Sequence, residues 1–357
     1  MGQNIPATSG KLTNMPQDFD QLDQLPGGFF DCTTATIRSV FPRPTLIHLR
    51  GKGPRLLFIS ILLHGNESTG LDVMQQILAT YPELDQLPCS IMLFVGNVFA
   101  AESDCRFLDD QIDFNRCWPG TELGESATSR MMQQVFDIAT AQALFVAIDI
   151  HNNTGKNPHY ACITDVTDEN RSLAARFNRV ALVFDKVGVS TRAFNGICPA
   201  ITLECGKPGE ASGIRHCRRF IEEILVLDEL PAERPPRDRQ HLVESHATLN
   251  IPDNVSFEFD PDADSDLRFE SNFEIHNFTP LDPEQVFAYS RIARPLAITD
   301  QNGHDVTDEL VRIEQGKVYL NNTLMPAMIT QDKKIVRQDC LCYLLQDYLE
   351  HSNHDNL

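Results

Sequence analysis

Two apolar runs that each end on a histidine constrain this chain more than any other feature. Leu56 to Leu63 runs into His64-Gly65-Asn66-Glu67, and Leu144 to Ile150 runs into His151. Continuous apolar runs of this length, closed by polar or glycine residues, read as strands buried on both faces. Open α/β folds place their sites outside the carboxyl ends of such strands, which is where His64, Glu67 and His151 fall. Two imidazoles and one carboxylate are the set that holds a catalytic zinc while leaving its fourth position open.

The rest of the first two thirds fits a sheet of that kind. Strands are expected at Thr45–Leu49, Arg55–Leu63, Ser90–Val95, Phe145–Ile150, His159–Thr164 and Pro199–Glu204. Helical periodicity marks Ser68–Tyr81, Glu125–Ala143, Asp168–Arg179 and Gly209–Leu227. Strands alternating with helices imply βαβ units and a mostly parallel sheet flanked by helices. The composition changes at residues 231–240, where prolines sit among mixed charges, so a linker is expected there. Residues 1–230 then form one domain. Residues 241–357 form a smaller β-rich one, with β-type runs at Val255–Phe259, Val286–Ile292, Val318–Leu320 and Lys334–Val336. Asp260 to Asp266 alternates carboxylates as a calcium loop does, but Ser265 and Ser271 replace the glycine and glutamate such a loop needs. It reads as a solvated loop.

Charge and cysteines exclude several classes. The formal charge of −20 repels phosphate backbones and argues against a nucleic-acid partner. No apolar stretch reaches membrane-spanning length and no secretory signal opens the chain, so no membrane partner is expected. The ten cysteines are irregularly spaced, several of them in apolar runs. That usage fits free thiols and a cytoplasmic location. Cys340 and Cys342 read as packing residues, and His351 and His354 as solvated tail residues.

Four motifs in order carry a family resemblance: His64-Gly-Asn-Glu67, Asp113-Phe-Asn-Arg116, Asp149-Ile-His151-Asn-Asn-Thr and Thr202-Leu-Glu204-Cys-Gly-Lys. Over roughly residues 40 to 227 the chain resembles the succinylglutamate desuccinylase/aspartoacylase family of zinc carboxypeptidase-like hydrolases. The resemblance implies one zinc per chain held by His64, Glu67 and His151, with Glu204 as general base and acid. It implies that Arg106 stabilises the oxyanion, and that Asn115 and Arg116 grip a substrate carboxylate, aided by Arg192. Arginine suits that task because its planar fork binds a carboxylate through two parallel bonds. Asp149, two residues before His151, faces the same way on a strand and is placed to orient that imidazole.

The implied activity is hydrolysis of the amide bond of a small N-acyl amino acid with a free carboxylate. Asp149-Ile-His-Asn-Asn-Thr looks more like an aspartoacylase, and Leu203-Glu-Cys-Gly-Lys207 more like a desuccinylase. A metallocarboxypeptidase that trims peptides and a metal-binding protein without turnover are the alternatives. Oligomeric state has no signature in the sequence.

Overall fold

The computed structural model describes residues 19–348 apart from 185, 232, 233, 237 and 238. His351 and His354 therefore lie outside the described residues. The strands are β1 (Asp20–Leu22), β2 (Thr45–Leu49), β3 (Leu56–Ile61), β4 (Ser90–Val95), β5 (Val146–His151), β6 (Tyr160–Ile163), β7 (Val180–Val183), β8 (Ala200–Glu204) and β9 (His241–Asn250). They continue as β10 (Phe257–Glu258), β11 (Leu267–Arg268), β12 (Val286–Ser290), β13 (Ala297–Asp300), β14 (Val311–Glu314), β15 (Lys317–Leu320), β16 (Met325–Ala327) and β17 (Cys342–Asp347). The helices are α1 (Thr69–Leu78), α2 (Val98–Glu102), α3 (Ala127–Thr140), α4 (Asp168–Phe177), α5 (Ser190–Ala193), α6 (Ala211–Val226), α7 (Thr307–Leu310) and α8 (Lys333–Gln338).

A mixed sheet of twelve strands forms the centre, in the order β1-β2-β4-β3-β5-β8-β6-β7-β9-β17-β16, with β13 also on β9. Its middle, β4-β3-β5-β8, is parallel, and these are the strands whose apolar runs are buried on both faces. Helices α1 and α6 cover one face, with Met74, Ile77, Phe220 and Ile224 in a single core with Ile59, Ile61 and Ile148. Each such side chain contributes about 1.5–3 kcal/mol on burial. Helix α3 covers the other face. Its Ser126 caps the Ser129 backbone N–H, and Met132 and Val135 share a core with Phe58, Phe94 and Trp118. The Arg55 guanidinium reaches the carbonyls of Ile224, Leu225 and Leu227 at the end of α6, where a cation offsets the helix dipole.

A smaller five-stranded sheet, β10-β11-β12-β15-β14, makes the C-terminal part β-rich. The structure differs from expectation in two places here. Strand β9 follows the 231–240 segment and pairs parallel with β7, and β17 and β16 extend from it, so the main sheet continues into the C-terminal half. That pairing covers what would otherwise be an open edge at β7. The β-type run at Lys334–Val336 is helical, because Asp332 accepts hydrogen bonds from the Lys334 and Ile335 backbone and starts α8. All ten cysteines are free, as their spacing predicts.

Candidate active site

The carboxyl ends of β3, β5 and β8 lie side by side, and the register pairs His151 directly with Glu204. After β3 the chain turns sharply. Leu62 takes the left-handed conformation (φ +55°) although it is buried and carries a side chain. Such a backbone costs about 1–3 kcal/mol. It directs the next residues out of the sheet towards the site. Gly65 then passes so close to another loop that a Cβ there would sit 2.2 Å from the Ala100 carbonyl carbon. Only glycine lets His64 and Glu67 meet across this turn.

His64, Glu67 and His151 are each buried to within 4% exposure. Glu67 bridges the imidazoles: Oε1 lies 2.8 Å from His64 Nδ1 and Oε2 lies 2.8 Å from His151 Nδ1. The outer nitrogens also meet carboxylates, His64 Nε2 at 3.0 Å from Asp113 Oδ1 and His151 Nε2 at 2.8 Å from Asp149 Oδ2. Asp149 is fixed in turn by a 2.7 Å hydrogen bond from the Ser60 hydroxyl. A carboxylate on each Nε2 leaves each Nδ1 pointing to the Glu67 side, the tautomer a metal ligand needs.

The electrostatics also call for a cation. Burial opposes ionisation of Glu67, but His64 and His151 more than offset it and hold its carboxyl below the usual range. Burial alone would lower His151, yet Asp149 and Glu67 hold it well above its ordinary value. A proton fills that demand in the bare protein, and a metal ion would fill it equally. The three donor atoms lie within 4.8 Å of one another, and tetrahedral zinc with bonds of about 2.1 Å places its ligand atoms about 3.4 Å apart. Two imidazole nitrogens and a carboxylate oxygen fit that ion.

Glu204 closes β8 at 9% exposure. Asn153 Nδ2 donates to its Oε2 at 2.7 Å. Burial pushes its carboxyl up to about 7, further raised by Glu67 and opposed by His151. A carboxyl titrating near neutrality is suited to accept and return a proton. Two buried amide oxygens without an internal partner, on Asn66 and Asn153, line the same cavity.

Arg106 lines this cavity, and its Nε and Nη2 donate to Asp113 Oδ2 at 3.3 and 3.0 Å. Asp113 thereby ties the arginine to His64. Asp113 stands in the Asp113-Phe-Asn-Arg116 motif, but nothing local in the sequence reveals which imidazole it faces. Burial disfavours its charge, but His64 and Arg106 hold its carboxyl well below the usual range. Asn115 is buried, its Oδ1 accepting from Ser190 N at 2.9 Å while its Nδ2 lies 3.2 Å from His151 Nε2. Arg116 also lines the cavity, steadied by a 2.7 Å bond from Nη1 to the Asn115 carbonyl. Arg192 is not brought there. Short helix α5 turns its neighbour Thr191 to the cavity wall, and Arg192 is not among the lining residues.

The C-terminal half supplies the roof: Met328, Thr330, Ile335, Asp339, Cys340 and Tyr343 all line the cavity. Glu274 fastens it to the loops below, accepting from Lys156 N at 2.8 Å, Lys207 Nζ at 2.9 Å and Gln331 N at 3.2 Å. The cavity holds about 110 Å³.

Comparison with known proteins agrees with this geometry. No curated protein sequence matches the chain. Among solved structures, the succinylglutamate desuccinylase of Chromobacterium violaceum superposes with a TM-score of 0.55 at 17% identity, covering 85% of this chain and 87% of the other. The succinylglutamate desuccinylase of Vibrio parahaemolyticus gives a TM-score of 0.57 at 12% identity, covering 86% and 88%. Murine aminoacylase 3 gives 0.51 at 18%, covering 83% and 96%. At such identities these likenesses establish the shared fold. The model of the succinylglutamate desuccinylase/aspartoacylase catalytic domain matches residues 53–226, the segment that carries His64, Glu67, His151 and Glu204. That segment is similar to the catalytic domain of the succinylglutamate desuccinylase/aspartoacylase family.

Proposed function

We propose that this chain is a zinc-dependent amidohydrolase that cleaves the amide bond of a small N-acyl amino acid. The observation that carries the reading is a buried His64–Glu67–His151 group sharing one cavity with Glu204, whose carboxyl is pushed up to about 7. Zinc held by those three residues would supply a Lewis acid at the amide carbonyl.

The chain's own groups do the rest. Asn153 holds Glu204 so that one carboxylate oxygen takes the proton of the attacking water and returns it to the departing amine nitrogen. Arg106, immobilised by Asp113, points fixed positive charge at the oxygen on which charge develops. Arg116 grips the free carboxylate of the amino-acid portion, and Asn115 fixes the loop that carries it. A cavity of about 110 Å³ suits a short acyl amino acid better than a drug-sized ligand, whose sites run to about 300–1,000 Å³.

The test is elemental analysis of protein never exposed to chelator, followed by assay on N-acyl amino acids and on peptides with free carboxyl termini. About one zinc per chain with deacylation supports the reading. Trimming of peptides without deacylation makes the protein a carboxypeptidase instead, and tight zinc without turnover on either class makes it a metal-binding protein.

A further inference from the structure

The two ends of the Asn153 amide are treated differently by the fold. Its nitrogen is fully committed: Nδ2 donates one hydrogen to Glu204 Oε2 at 2.7 Å and the other to the Tyr160 hydroxyl at 3.3 Å. Tyr160 is itself held firmly. It stands directly opposite Glu204 in the antiparallel β6–β8 ladder, is fully buried, and packs on Phe278 with ring centroids 4.5 Å apart. Burial, reinforced by the Glu204 charge, keeps its hydroxyl well above the usual range and so protonated. The Asn153 backbone is pinned as well, its N–H donating to the Gly206 carbonyl at 3.0 Å.

These contacts set which way the amide faces. An ionised carboxylate only accepts hydrogen bonds. Turning the amide over would press its oxygen against Glu204 Oε2 with no hydrogen between them. Oδ1 therefore faces away from Glu204. There it has no protein partner, although Asn153 is only 8% exposed and lines the cavity. A buried acceptor left unpaired is costly, and a ligand that brings a donor relieves the cost.

An N-acyl amino acid consists largely of acceptors, two carboxylate oxygens and a carbonyl. The donor common to the class is the N–H of the scissile amide. Its nitrogen is the atom to which Glu204 returns a proton. Of the two unpartnered oxygens in the cavity, only that of Asn153 belongs to a residue bonded to Glu204. Building on the deacylase reading above, we infer that Asn153 Oδ1 accepts the N–H of the scissile amide and restricts the enzyme to secondary amides. As the carbonyl carbon becomes tetrahedral, the nitrogen regains a lone pair. With its hydrogen held on Oδ1, that pair is left to take the proton from Glu204. The C–N bond then breaks with its electrons on the departing amine. A tertiary amide, such as an N-acylated proline or N-methyl amino acid, has no hydrogen to give. It would set carbon against the buried oxygen and leave that oxygen unpaired.

The experiment compares N-acetyl-L-alanine and N-acetyl-L-aspartate with their N-methyl analogues on the zinc-loaded protein, measuring kcat/KM and calorimetric binding. The expected result is a preference of about 10²-fold or more in kcat/KM for the N–H member of each pair. Asn153→Ala, with its fold checked by circular dichroism, should cut that ratio by at least about 10-fold, because it removes the acceptor and makes room for the methyl group. A residue that merely positions Glu204 would slow both members equally, so an unchanged ratio in the folded variant overturns the inference. Asn153→Asp keeps an oxygen towards the nitrogen and should retain the preference while kcat falls; loss of the preference there counts against the contact. Equal hydrolysis of both members by the wild type overturns the inference and leaves the deacylase reading standing. If neither member is hydrolysed, tighter binding of the N–H member that disappears in Asn153→Ala upholds the contact while the deacylase reading falls. Absence of both binding and hydrolysis overturns the two together.

Discussion

The floor and the roof of this cavity are built in opposite ways. The floor comes from adjacent strand ends, where His64, His151 and Glu204 emerge from apolar strands whose register is fixed on both sides. There each ring nitrogen of His64 and His151 meets a carboxylate. The roof comes from residues 328–343, more than a hundred positions beyond the floor. It reaches the site because β7, β9 and β17 pair in succession. Glu274 and its three donors pin it in place. A rigid, charged floor is suited to metal and proton chemistry. An apolar roof, joined by long-range pairing, is suited to choosing the substrate. Substitutions in the floor should therefore change metal content or kcat, and those in the roof should change KM alone.

The largest effect is expected at Glu204. Glu204→Gln keeps the three proposed metal ligands, so zinc content should stay at wild-type level while kcat falls by about 10²- to 10⁴-fold. Metal analysis and kinetics on one preparation check both halves. The same variant has a signature in stability. The folded carboxyl is raised to about 7 from an ordinary value near 4.5. Its favourable contribution is thus complete below about 4.5 and lost as pH rises through about 7. Glutamine cannot ionise, so metal-free Glu204→Gln should gain on wild type as pH rises, reaching on the order of 3 kcal/mol by pH 8. Melts from pH 4.5 to 8 that run in parallel would contradict the burial argument.

Next comes the support beneath the metal group. Asp113→Asn and Asp149→Asn each weaken the hold on one Nε2, and zinc affinity should fall about 10- to 100-fold in each. Competition with a chelator of known affinity measures this. Arg116→Lys keeps the charge but loses the fork, which predicts a loss of about 10- to 100-fold in kcat/KM on a free acid and little on its amide. Equal losses on both would place Arg116 in the fold rather than against the substrate. The smallest effect belongs to the roof. Glu274→Gln should raise KM a few-fold with zinc content unchanged, and a fall in bound zinc would erase the distinction between floor and roof.

Legibility in the sequence follows the same division. His64, Glu67 and His151 stand at the ends of apolar runs, so a local pattern exposes them, and most strands and helices of the first two thirds lie where periodicity puts them. Local pattern fails where distant chain meets. Strand β7 is only four residues long, and β9 mixes Glu, Ser, His and Thr into its alternation, so neither stands out as a strand. Lys333–Gln338 reads as extended from Ile335 and Val336, yet the Asp332 cap makes it helical. Phe184 and Tyr343 carry no motif at all, and only the β7-β9-β17 order brings them together. Arg192 shows the converse error: a suitable residue type at a suitable distance in sequence, placed off the cavity wall by a one-turn helix.

We propose that the floor is a zinc site assembled from His64, Glu67 and His151. Its most direct test is calorimetric titration of zinc into chelator-stripped protein, with His151→Ala alongside. One tight site per chain in the wild type, lost in the variant while its circular dichroism is retained, is the predicted result. Failure of the wild type to bind zinc tightly, or equal affinity in the folded variant, would contradict it.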